Sequence, residues 1–171
     1  MNILNPDESQ KVDALRLAFY EVVQKELRTF CALTSRISST VLTKLGIQNE
    51  LLPCQLWYTS QTQNFVVGFL NKTEETPEWN GHVVCRVGNV IIDTATQNLE
   101  VKLKVTVPWV VVAGRFLVTT QLIARARLEN EAMLEWFYPP PNALVQPPDE
   151  PQEIIDRYSA LLFDRISNSI E

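Results

Sequence analysis

Histidine is nearly missing from this chain: His82 is the single one in 171 residues. Cysteine is scarce and odd in number, with Cys31, Cys54 and Cys85 and no Cys-x-x-Cys pair. That rules out a complete disulfide framework and argues against a structural zinc site, so neither metal nor cofactor is expected. Basic residues do not dominate. Fifteen lysines and arginines stand against twenty acidic residues, a net charge of −5, which argues against a nucleic-acid partner. The longest apolar run, Val107 to Gly114, is far too short to span a bilayer, and no membrane partner is expected. Met1 to Gln10 has neither the basic nor the apolar region of a signal peptide. With unpaired cysteines, this points to a reducing, cytoplasmic-type compartment. What is left, 46% apolar and 20% charged, is the composition of an ordinary globular chain, read as a single domain over residues 1–171.

Along the chain, Val12, Leu15, Ala18, Phe19, Val22, Val23 and Leu27 recur at three- and four-residue steps, which predicts an amphipathic helix from Glu8 to about Leu27. Leu33, Ile37, Val41 and Leu45 predict a second helix, from about Phe30 to Leu45, with Gly46 as its stop. Thr29 is the expected N-cap, which leaves Cys31 in the first turn. Strand texture follows at Leu51–Tyr58, Asn64–Phe69, His82–Val87 and Val90–Ala95. Gly88-Asn89 joins the last two as a two-residue hairpin turn. Leu99 to Val107 alternates apolar and polar residues and reads as a strand with a wet Lys102 and Lys104 face. Phe116 to Tyr138 reads two ways, as helix over about Gln121–Asn130 and as strand over Met133–Tyr138. Residues 139–151 carry six of the ten prolines and read as a surface connection to a C-terminal helix over Gln152 to about Ser167. Helices, then an antiparallel sheet, then a closing helix make an α+β fold.

The hairpin turn fixes a register in which Val84 faces Asp93. His82 and Asp93 then share a face as diagonal neighbours, roughly 7–8 Å apart at the backbone and within side-chain reach. Cys85 has the opposite parity. A carboxylate on one ring nitrogen sets the tautomer of an imidazole and leaves the other nitrogen for a nucleophile. Cys31, at the opening of a helix, is placed where a thiolate is favoured. Cys31, His82 and Asp93 therefore form a coherent Cys-His-Asp set. Cys54 and Cys85 are assigned to the core. Trp57, Tyr58 and Trp79 flank the proposed centre in sequence and are candidates to line a substrate cleft, with Thr73–Trp79 as a loop leading into the His82 strand.

Thr29-Phe30-Cys31-Ala32-Leu33, running on to Lys44-Leu45-Gly46-Ile47, resembles the nucleophile helix of the transglutaminase-like group of papain-fold cysteine enzymes. Gly81-His82-Val83-Val84 and Ile91-Ile92-Asp93-Thr94-Ala95 resemble that group's histidine and aspartate strands. The resemblance covers about residues 28–96. It implies a papain-like fold with Cys31 as nucleophile, His82 as general base and acid, and Asp93 orienting His82. Papain-type peptidases also place a glutamine before the cysteine, and Gln24 is the candidate here. Arylamine N-acetyltransferases carry Arg-Gly-Gly-aromatic-Cys, whereas Arg28-Thr29-Phe30-Cys31 lacks both glycines. The expected activity is thus thiol acyl transfer as a cysteine peptidase or amidase, on a peptide, protein or small amide or ester. Transglutaminase- or N-acyltransferase-type transfer to an amine, or a non-catalytic interaction module on the same fold, are the alternatives.

Overall fold

The computed structural model describes residues 4–69, 79, 81–114, 121–141 and 143–170. The first helix, α1 (Pro6–Val22), opens with a capping box in which Asn5 and Glu8 satisfy each other's backbone amides. It buries Val12, Leu15, Ala18 and Phe19. The helix stops short of Leu27, where the spacing would carry it. Arg28 folds back and donates to the terminal carbonyls, Nε to Val23 at 2.8 Å and Nη2 to Tyr20 at 2.8 Å. Its guanidinium lies 4.0 Å from the centre of the Trp109 ring. A basic side chain capping the C-terminal carbonyls ends α1, and Lys25–Thr29 forms a separate 3-10 turn. α2 (Cys31–Lys44) follows, and Gly46, at φ +77°, carries the chain out of it.

Among the described residues, seven strands form one antiparallel sheet: β1 (Glu50–Thr59), β2 (Asn64–Val67), β3 (His82–Val87), β4 (Val90–Asp93), β5 (Val111–Gly114), β6 (Leu122–Arg127) and β7 (Met133–Phe137). The order is β5-β4-β3-β1-β7-β6, with β2 also paired to β1. β5 and β6, at the two ends of that order, lie against each other, so the sheet curls into a nearly closed form. Two cores result. Between helices and sheet lie Phe19, Ile37, Val41, Cys85, Ile92 and Leu162, among others. Inside the curl lie Cys54, Leu56, Val84, Ile91, Leu134 and Trp136. Neighbours in sequence, Val84 with Cys85 and Ile91 with Ile92, thus enter opposite cores. This explains why β3 and β4 read as near-continuous apolar runs.

Two expectations fail here. Leu99–Val107 is not a strand: Gln97–Leu103 is a short helix, α3, stopped by Lys104 at φ +57°. Over so few residues alternation and helical spacing coincide, since Leu99 and Leu103 satisfy both. Leu99 is buried and Val101 is 52% exposed. The helical option for 121–130 also fails. β6 carries an Ala-Arg alternation, and the pairing of Arg125 with Glu135 across the β6–β7 ladder (Nε to Oε1, 2.7 Å) overrides the helix propensity of both residue types. Residues 116–120 lie outside the described part, as does the Thr73–Trp79 loop apart from Trp79. The proline-rich stretch forms no helix or strand among its described residues. α4 (Gln152–Ile170) docks on α1 and α2, burying Ile155, Tyr158, Leu162 and Ile166. Among the described residues no helix is long and apolar enough to cross a membrane.

Candidate active site

The β3–β4 hairpin has the register a two-residue turn dictates, pairing Val87 with Val90, Arg86 with Ile91 and Cys85 with Ile92. His82 and Asp93 consequently emerge on one face, and His82 Nε2 lies 2.6 Å from Asp93 Oδ2. An ionised carboxylate can only accept, so Nε2 carries the proton and donates it. The aspartate receives two further bonds. Ala95 N–H donates to Oδ1 at 2.9 Å, and Trp136 Nε1–H donates to Oδ2 at 2.7 Å. His82, Asp93 and Trp136 are all 0% exposed. A buried carboxylate without such donors would be strongly unfavourable.

Burial by itself would push the His82 imidazolium toward deprotonation, but the charge of Asp93, its hydrogen bond and the nearness of Cys31 outweigh it. The group is raised from an ordinary 6.5 to about 10. His82 Nδ1 is buried and makes no hydrogen bond of ordinary geometry among the described residues. Cys31 lies close enough to shift the imidazole, yet its sulfur points elsewhere, at the Gly81 carbonyl 3.9 Å away. The structure therefore joins His82 to Asp93 directly and brings Cys31 beside them.

Cys31 is the first residue of α2, but Phe30, not Thr29, is the N-cap, and no side chain caps the helix. Thr29 closes the 3-10 turn, and its carbonyl accepts from Asn98 Nδ2 at 2.7 Å. The first intrahelical bond runs from Thr34 N–H to the Phe30 carbonyl at 2.9 Å, so the amides of Cys31, Ala32 and Leu33 precede it. α2 is registered on β3 by Ser35, whose hydroxyl donates to the Val83 carbonyl at 2.8 Å and whose carbonyl accepts from Cys85 Sγ at 3.0 Å. That pairing sets the start of the helix beside the start of the strand.

Backbone crowding holds the entry to β3. Gly68, at φ +93°, lies so close that an added Cβ would meet His82 N at 2.9 Å and the Gly81 carbonyl carbon at 3.1 Å. A Cβ on Gly81 would strike the indole of Trp79 at 2.7 Å, so this ring packs directly on the residue whose carbonyl faces Cys31. Phe69 meets Trp79 edge-on, with ring centres 6.4 Å apart. Trp79 Nε1 is buried without a partner among the described residues.

Of the other candidates, Trp57 projects from the opposite face of β1 to Cys54, the residue paired with His82. It is 41% exposed and packs edge-on against Phe137, away from the His82–Asp93 face. Gln24 is exposed at the entry to the 3-10 turn and makes no hydrogen bond to Cys31 among the described residues. Cys54 and Cys85 are fully buried, and burial pushes both thiols up from their ordinary value. Trp136 is the site residue that sequence reasoning missed. Its parity with Leu134 in the Met133–Tyr138 run marks it as inward-facing, but nothing local signals a partner on β4. Among the described residues no group of three His, Cys, Asp or Glu side chains could hold a metal ion. No family model, curated protein or solved structure matches the chain.

Proposed function

We propose that the chain is a thiol acyl-transfer enzyme, a cysteine peptidase or amidase on a papain-like, transglutaminase-like fold, working in a reducing, cytoplasmic-type compartment. The observation that carries this reading is the buried His82–Asp93 pair beside Cys31, with Nε2 committed to the carboxylate and Nδ1 free of it. With Nε2–H held on Asp93, Nδ1 is the position that holds the Cys31 proton during attack. Asp93 stabilises the resulting imidazolium, and the first-turn amides of α2 supply donors for the oxyanion. Attack of Sγ on an amide or ester carbonyl gives an acyl-enzyme. The leaving group departs with the His82 proton, and water, delivering a proton back to His82, releases the acid. Trp79, stacked on Gly81, forms an aromatic wall at this centre.

Alkylation tests the reading. At pH 6, Cys31 should react with iodoacetamide at least about tenfold faster than Cys54 and Cys85, and His82→Ala should abolish that advantage. Equal and ordinary rates at all three thiols in the folded protein would overturn it.

A further inference from the structure

Phe30 breaks two local rules at once. It occupies the N-cap of a fourteen-residue helix, where a side-chain oxygen normally takes an orphan amide, and it makes no such bond. Its ring is also 56% exposed, although an aromatic side chain gains most from being covered. Thr29, a competent cap one residue earlier, is used in the 3-10 turn instead. The helix thus starts with no side-chain cap among the described residues and an apolar ring in water, next to the partly exposed Cys31. A second, independent feature is aimed at the same place. His82 is wholly buried, its Nδ1 makes no hydrogen bond of ordinary geometry among the described residues, and Cys31 is one of the groups that act on it. Local rules broken together at a reactive residue are the mark of a surface shaped for a ligand.

We infer that Phe30 selects the acyl group: the site takes esters or amides whose acyl portion is apolar, with an aromatic ring preferred over a short alkyl chain. This rests on the acyl-transfer reading and names its substrate class. The leaving group diffuses away, but the acyl group stays bonded to Sγ, tethered one peptide unit from the Phe30 ring. With an ester, the Sγ–C bond forms, the ester C–O bond breaks, and the departing oxygen takes the His82 proton. Water then supplies the new C–O bond, the C–S bond breaks, and the second water proton returns to His82, leaving a free acid and the regenerated Cys31–His82 pair. The first-turn amides, which receive no side-chain cap, are the donors the carbonyl oxygen would take.

Two p-nitrophenyl esters, the acetate and the 3-phenylpropanoate, test this with the intact protein. Nitrophenolate release is followed optically, and the adduct on the Cys31 peptide by mass. The phenylpropanoyl ester should acylate Cys31 faster than the acetyl ester by about tenfold or more, the discrimination one apolar group supplies. Phe30→Ser should erase most of that ratio while raising the melting temperature by about 2–4 °C, because it restores a cap. Phe30→Leu should keep part of the ratio and gain no stability. Acylation by both esters with an unchanged ratio in Phe30→Ser would overturn the inference alone, as would a lower melting temperature in that variant. Absence of any adduct on Cys31 from either ester would overturn it together with the reading beneath it.

Discussion

Asp93 and His82 share one hydrogen bond between two fully buried side chains, and the chain's single histidine makes its titration unambiguous to follow. Raised from 6.5 to about 10 by Asp93 and Cys31 against the opposing pull of burial, the imidazole stays protonated well above neutrality. A histidine whose folded value exceeds its unfolded value adds stability that is fully present below about 6.5, declines above it, and is gone beyond about 10. The His82 ring nitrogens should therefore remain those of an imidazolium at pH 8 by NMR, and the unfolding free energy should fall between pH 7 and pH 10. An imidazole that titrates near 6.5 in the folded protein would contradict this.

Among the elements, those with a local rule behind them were readable from the sequence. The four-residue steps of α2, the Gly88-Asn89 turn and the β3–β4 register are short-range consequences of residue spacing, and so the His82–Asp93 contact is legible in the sequence. α3 and β6 were not readable, because the residues that decide them are remote: Leu99 faces a core assembled from β1 and β7, and Arg125 faces Glu135 on β7. The same limit hid Trp136 while leaving its strand visible. The junction between β2 and β3 has a different character, set by the close approach of Gly68 to His82. Gly68→Ala combines a positive φ with a 2.9 Å contact to backbone, neither of which a flexible side chain can relieve. It should destabilise by about 1–3 kcal/mol in urea unfolding. It should also slow Cys31 alkylation, because the residue pushed is His82.

At the scale of the molecule, the indole of Trp136 reaches from β7 to Asp93 on β4, two strands that do not pair. This bond ties opposite walls of the curled sheet through the inner core. Trp136→Phe removes the donor while keeping most of the apolar ring, and leaves Asp93 Oδ2 with one bond fewer in a dry interior. A loss of about 1–3 kcal/mol in urea unfolding is expected. Trp57→Phe, on the outer face, should change stability by no more than about 0.5 kcal/mol.

The span of that tie bears on how the protein is made. Asp93 and Trp136 are 43 positions apart, and the emerging chain has already delivered Cys31, His82 and Asp93 before the indole exists. At roughly 5–20 residues per second of synthesis, the carboxylate waits some seconds for its third donor. The strand that brings that donor is also the one that pairs with β1 and β6. Completion of the charge network and closure of the sheet are thus one event, late in the birth of the chain, and a nascent fragment ending before β7 holds the reactive residues without the interior that organises them.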